Sequence, residues 1–172
     1  MSDVIKYILL RKDAARYGGK VDAATRKRWE HGMAWERVFS KAVAAPTGYG
    51  KLDAQRSMVK DKITGTPDFC DDENRIVIET KWTMLSAAHE VGSPRLWGYR
   101  VQLMAYCFMY DTDRGDLIVY HVMGDYNRDQ GLPESQAWQH ALKFDVVELR
   151  KTWQMILVNR DAMLKERGRK RE

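Results

Sequence analysis

The sequence predicts one α/β domain, a central sheet flanked by helices, and three observations carry that expectation. Phe69-Cys70 and Arg75-Ile76-Val77-Ile78 flank the polar run Asp71-Asp72-Glu73-Asn74, the pattern of two strands joined by a turn. Residues 22–45 and 93–110, on either side of it, repeat apolar side chains at helical spacing. After the second of these comes Asp116-Leu117-Ile118-Val119-Tyr120-His121-Val122, a strand by its β-branched and aromatic content. Length agrees: 172 residues hold one substantial core and are too few for two comfortable ones.

Residues 3–17 form a first helix, in which Ile5, Ile8 and Leu9 share a face and Gly18-Gly19 ends the run. The helix over 22–45 is the stronger one. Trp35, Val38, Phe39, Ala42 and Val43 make a wide apolar face, Trp29 and Met33 lie along one side, and Pro46 closes it. Glu30, Arg37 and Lys41 occupy the opposite, solvated side, while Glu36 stands at the border of the apolar face. His31, beside Trp35, fits a packing histidine better than a ligand. Residues 47–51 are a glycine-rich turn, and 55–62 alternate as a strand before Gly65-Thr66-Pro67 leads into the hairpin. Pro67 has no N–H, so the chain leaves the regular ladder or lies at an edge just before Asp68.

Beyond the hairpin, residues 82–92, with His89 and Glu90, fit a loop or a short helix. Ser93-Pro94 supplies a cap and a first-turn proline for a helix running to about Tyr110. Tyr99, Val101 and the run from Leu103 to Met109 leave that helix almost no polar face, which predicts burial. Gln102 is the exception, with Tyr106 one turn later on the same side. Residues 124–140 are polar, contain Gly131 and Pro133, and predict an insertion or loop. Residues 142–147 predict a further strand, and a closing helix runs from about Glu148 toward Arg167 with Leu149, Trp153, Ile156 and Leu157 inward.

The chemistry concentrates on the hairpin. An even number of residues separates Asp68 from Glu79, so closure by two or four residues around Glu73-Asn74 sets the two carboxylates directly opposite on one face. Such pairs hold their Cβ atoms roughly 4.5–5.5 Å apart. Lys81 shares the face because strand side chains alternate. A solvated acidic turn suits Asp71, Asp72 and Glu73, but Ile76-Val77-Ile78 marks a strand covered on both faces and draws Glu79 inside. Two buried carboxylates repel and lose hydration, and a divalent cation between them removes the conflict.

Composition excludes several classes. A hydrophobic content of 44% with 31% charged residues is that of an ordinary globular protein. No apolar run approaches membrane-spanning length, and the first residues lack the order of a signal peptide, so a cytoplasmic protein without membrane partners is expected. Cys70 and Cys107 are too few and too separated for a disulfide framework or zinc site and suit buried free thiols. Twenty-nine Lys and Arg against 24 Asp and Glu leave +5, compatible with a polyanionic partner. The stretch ending in Arg169-Lys170-Arg171 fits a solvated helix end as well as a phosphate-binding tail.

Gly65-Thr66-Pro67-Asp68, followed by Glu79-Thr80-Lys81, resembles the PD-(D/E)xK nuclease superfamily. Gly32-Met33-Ala34-Trp35-Glu36 resembles its first acidic motif, in which a helical carboxylate overhangs the sheet. At its distance from these, Gln102-Leu103-Met104-Ala105-Tyr106 resembles the Q-x-x-x-Y motif of the RecB-like branch, which includes lambda-type exonucleases and CRISPR-associated four-cysteine nucleases. The resemblance covers roughly residues 32–122 and implies a restriction-endonuclease-like αβββαβ core with a central mixed sheet. It implies Mg²⁺ or Mn²⁺ held by Asp68, Glu79 and the carbonyl of Thr80, with Glu36 adding a direct or water-mediated contact. Lys81 would orient or deprotonate the attacking water, while Gln102 and Tyr106 position a nucleic-acid strand or brace the site. With two cysteines in place of four, no iron–sulfur cluster is expected.

The activity so implied is hydrolysis of DNA to a 5′-phosphate and 3′-hydroxyl. Exonuclease action on DNA ends or single strands comes first, and structure-directed endonuclease action is its rival. A catalytically idle DNA-binding or assembly subunit is the reading from another class. A homo-oligomer, or a partner protein of recombination or repair, stays open.

Overall fold

The computed structural model describes residues 1, 4, 5, 7, 8, 30, 34, 49–84, 86–88, 92–94, 96–122 and 135–169. In chain order come β1 (Leu52–Ala54), β2 (Met58–Lys60), β3 (Ile63–Gly65), β4 (Phe69–Asp71), β5 (Ile76–Thr83), helix α1 (Trp97–Tyr110), β6 (Arg114–His121), β7 (Gln136–Lys143) and helix α2 (Val146–Arg169). Five strands make one mixed sheet in the order β1-β4-β5-β6-β7, and β2 pairs with β3 in a separate hairpin. Only β5 and β6 run parallel, because α1 carries the chain back between them. No helix among the described residues is long and apolar enough to cross a membrane.

α1 and α2 lie on the face of the sheet to which Val77 of β5 and Leu117 and Val119 of β6 point. Val77, Leu117 and Val119 pack against Leu103, Met104, Tyr106 and Cys107 of α1. Fully burying a side chain of this size contributes about 1.5–3 kcal/mol. Gly115 lets α1 come close: a Cβ there would stand 2.8 Å from Cys107 Sγ and 2.9 Å from Leu103 Cγ. The far side of α1 meets α2 through Val101, Ala105, Trp153 and Ile156, joined by Val4, Ile5 and Ile8. On the opposite face of the sheet, Phe69, Ile76, Ile78 and Ile118 form a smaller cluster with Tyr49 and Leu52.

Several boundaries differ from those expected. In place of one strand over 55–62, β1 pairs with β4 and a separate hairpin follows. Gln55 breaks the strand with φ 53°, and Asp61 and Lys62, at φ 49° and 61°, make a two-residue turn of the kind that matches strand twist. Residues 136–140, expected in a loop, belong to β7, and the strand ends at Lys143 where 142–147 had predicted one. The closing helix starts at Val146, because Asp145 Oδ1 accepts a hydrogen bond from the Val147 N–H at 2.6 Å. α1 begins at Trp97, after a turn in which the Leu96 N–H donates to the Ser93 carbonyl. Residues 4, 5, 7, 8, 30 and 34 are helical. The remainder of the helices expected over 3–17 and 22–45, with Glu36 and His31, lies outside the described residues, as do His89, Glu90, residues 124–134 and residues 170–172.

Candidate active site

The β4–β5 hairpin sets the register of the site. Phe69 pairs with Ile78, Cys70 with Val77 and Asp71 with Ile76, so the turn holds the four residues 72–75, ending on Arg75 at φ 56°. Asp71 is no solvated acid. It is fully buried and accepts hydrogen bonds from the Asn74 N–H, Asn74 Nδ2 and the Gly50 N–H. Burial pushes its pKa up, but these donors outweigh it and hold the carboxyl below its ordinary value.

One step beyond Phe69–Ile78, the same register puts Asp68 across from Glu79. The backbone joins them, with the Asp68 N–H donating to Glu79 Oε2 at 3.4 Å. Asp68 Oδ2 accepts from the Thr80 N–H at 2.7 Å and from Thr80 Oγ1 at 2.8 Å. Lys81 Nζ donates to Glu79 Oε1. Asp68 thus has one oxygen held by Thr80 of β5, while both oxygens of Glu79 accept a hydrogen bond. β4 begins at Phe69, one residue after Asp68, whose carbonyl accepts a backbone hydrogen bond from the Gln55 N–H at 2.9 Å.

Glu79 is 1% exposed. Burial pushes its pKa up to about 7; the Lys81 ammonium opposes the shift and the Asp68 charge adds to it. Burial also works against the Lys81 ammonium, but the charges of Glu79 and Asp68 outweigh it and hold Lys81 protonated well above the ordinary lysine range. The cluster sets two carboxyl groups against one ammonium.

α1 supplies the roof. Gln102 Nε2 donates to the Tyr106 hydroxyl at 2.9 Å. Tyr106 is 3% exposed, and its pKa is pushed up to about 12 by burial and then by the Glu79 charge, so the hydroxyl lies within reach of the carboxylate's field. Gly65 packs on the Tyr106 ring: a Cβ there would lie 2.9 Å from Tyr106 Cε1. The Gly65-Thr66-Pro67-Asp68 and Gln102–Tyr106 segments therefore touch.

Sequence reasoning missed Tyr99 as a site residue. Its ring centroid lies 5.7 Å from Lys81 Nζ, a cation–π distance, and its place three residues before Gln102 was the available signal. It also missed a polar cluster on the other face of the sheet, where the buried Asp116 accepts from the Tyr49 hydroxyl and from Gln139 Nε2 at 2.8 Å. That cluster ties β6, β7 and residue 49 together behind the hairpin.

Among the described residues, no three His, Cys, Asp or Glu side chains gather as a metal cage. Mg²⁺ does not require one, since it keeps several waters and takes one or two carboxylates plus substrate phosphates. Asp68 and Glu79 offer hard oxygens, and the unfavourable burial of Glu79 beside Asp68 is the condition a cation relieves. The donor set fits such an ion.

The chain matches no protein-family profile and no curated protein sequence. Solved structures do resemble it. A phage-related exonuclease from Haemophilus somnus 129PT superposes with a TM-score of 0.54 at 14% identity, over 81% of this chain and 73% of that one. The alkaline exonuclease LHK-Exo from Laribacter hongkongensis gives 0.50 at 14% identity, over 88% and 75%. The chain has the fold of these exonucleases. At that identity the likeness concerns the mixed sheet and its flanking helices, and the chemistry rests on the side chains.

Proposed function

We propose that the chain is a metal-dependent nuclease that hydrolyses DNA phosphodiester bonds, acting on DNA ends or single strands. One observation carries the reading: Asp68 faces the buried Glu79 across the hairpin, with Lys81 paired to Glu79 on the same face. The structural likeness to two exonucleases supports it.

Asp68 and Glu79, with the Thr80 carbonyl, would hold Mg²⁺ or Mn²⁺. When bound, the ion supplies positive charge to phosphate oxygens and acidifies water. The Thr80 N–H and hydroxyl hold Asp68 Oδ2 and would keep that carboxylate in place for the ion. Lys81, paired to Glu79, would bear charge beside the phosphate and orient or deprotonate the attacking water. Gln102 and Tyr106 steady the strand from α1. Glu36 completes the acidic set in this reading.

The test is topological. End-labelled linear DNA, single-stranded and duplex, and closed circular DNA are incubated with the protein and Mg²⁺. Loss of linear DNA with intact circles is the expected result. Cleaved circles would move the reading to a structure-directed endonuclease. Binding without cleavage of any form would make the chain a DNA-binding or assembly module.

A further inference from the structure

The helix-covered face of the sheet carries an aromatic pair that the proposed chemistry leaves unused. Register connects it to the site. Lys81 pairs with Val119 and Val119 with Trp138, while Glu79 pairs with Leu117 and Leu117 with His140. Trp138 and His140 therefore point to the same face as Lys81 and Glu79, two strand spacings or roughly 10 Å away. Leu142, further along the same face of β7, packs into the core under α1, whereas Trp138 is 48% exposed.

The indole is also held in place. The His140 ring stacks on it at 6.4 Å between centroids and 19° between planes, and Trp138 Nε1 donates to Gln136 Oε1 at 3.0 Å. Burial, with His121 nearby, holds His140 below the usual histidine range, so it is a neutral ring near pH 7. A large aromatic fixed from two sides yet half open to solvent contributes little to the core. It suits a flat apolar ligand.

We infer that Trp138, backed by His140, is a stacking platform for an unpaired base of the DNA strand whose phosphate lies at Asp68, Glu79 and Lys81, an inference that rests on the nuclease reading. Stacking accepts any base, which suits an enzyme that reads no sequence. The separation corresponds to about three stacked nucleotide steps of roughly 3.4 Å each, and to fewer in an extended strand. Continuity with the site along the rows of the sheet selects DNA over a second protein copy at the β7 edge.

The test measures binding of labelled single-stranded oligonucleotides by fluorescence anisotropy, with Ca²⁺ in place of Mg²⁺, for wild type, Trp138→Ala and Trp138→Phe. The alanine variant should bind roughly 5- to 150-fold more weakly, and the phenylalanine variant should recover most of the loss. A single abasic site, walked along the oligonucleotide, should weaken wild type at one position and cost Trp138→Ala nothing further there, as a coupled pair requires. Equal binding by all three proteins, or abasic losses alike in wild type and Trp138→Ala, would overturn the platform while leaving the nuclease reading intact. So would a change of mass in sedimentation confined to Trp138→Ala, which would make the tryptophan a contact between copies. Wild type that neither binds nor cleaves DNA would sink the proposed function and this inference with it.

Discussion

Gly65→Ala tests whether two segments distant in sequence form one packed unit. The added Cβ would stand 2.7 Å from Met109 Sδ, 2.9 Å from Tyr106 Cε1 and 3.1 Å from Tyr106 Cδ1. The Met109 thioether is the flexible part of a side chain and can swing aside. Tyr106 is 3% exposed and its hydroxyl accepts a hydrogen bond from Gln102, so its ring cannot. Forcing a methyl group into such a contact costs about 1–3 kcal/mol. At about 2–4 °C per kcal/mol for a chain of this size, the melting temperature should fall by about 2–12 °C. A displaced ring also moves the hydroxyl that lies in the field of Glu79, so single-turnover cleavage should drop at temperatures where the variant is folded. Calorimetry and a cleavage assay on the same preparation read both effects. Adding Met109→Ala should not restore stability if the ring is the obstacle. A Gly65→Ala protein that melts within a degree of wild type and cleaves normally would refute the contact.

Gln102→Ala should raise KM for DNA about 2- to 13-fold, since a hydrogen bond of about 0.5–1.5 kcal/mol is lost, while calorimetric Mg²⁺ affinity stays near wild type. A matching loss of metal affinity would make Gln102 a brace for the carboxylates. Lys81→Ala should keep metal binding and lose turnover; if both vanish, the lysine is structural. Asp72 accepts hydrogen bonds from Arg56 and the Tyr110 hydroxyl, Arg56 the larger cause, and its pKa falls to about 2. Its folded pKa lies below the ordinary value of 3.8, so its contribution is complete above pH 3.8 and is lost as pH falls toward 2. The gap in melting temperature between wild type and Asp72→Asn should therefore close across that window, and a constant gap would remove the ion pair as its source.

The parts of this site that show in the sequence are those governed by counting. The parity of the Asp68–Glu79 interval holds in the register, because side chains alternate strictly and a four-residue turn preserves the alternation. Gln102 and Tyr106 meet because one helical turn separates them. Where local pattern and tertiary setting part, the pattern misleads. β7 is an edge strand with Ala137, Trp138, Gln139 and Ala141 exposed, so it lacks the alternation that marks a half-buried strand and resembles a polar loop. That concealed Trp138. The split of 55–62 depends on Gln55, Asp61 and Lys62 at positive φ, a conformation rare for non-glycine residues and weakly encoded by them. Asp71 looked like a surface acid because nothing local announces that the Gly50 N–H, 21 residues earlier, will reach it.

The central claim is that Asp68 and Glu79 form a charged centre on which cleavage depends, and Glu79→Gln tests it most directly. Glutamine keeps the shape of the side chain and an oxygen for Lys81 while removing the charge a cation needs. The measurement is single-turnover cleavage of end-labelled single-stranded DNA at saturating Mg²⁺, with circular dichroism establishing that the variant is folded. The account predicts a folded protein whose cleavage falls by roughly three orders of magnitude or more. A Glu79→Gln protein that cleaves at the wild-type rate would contradict it.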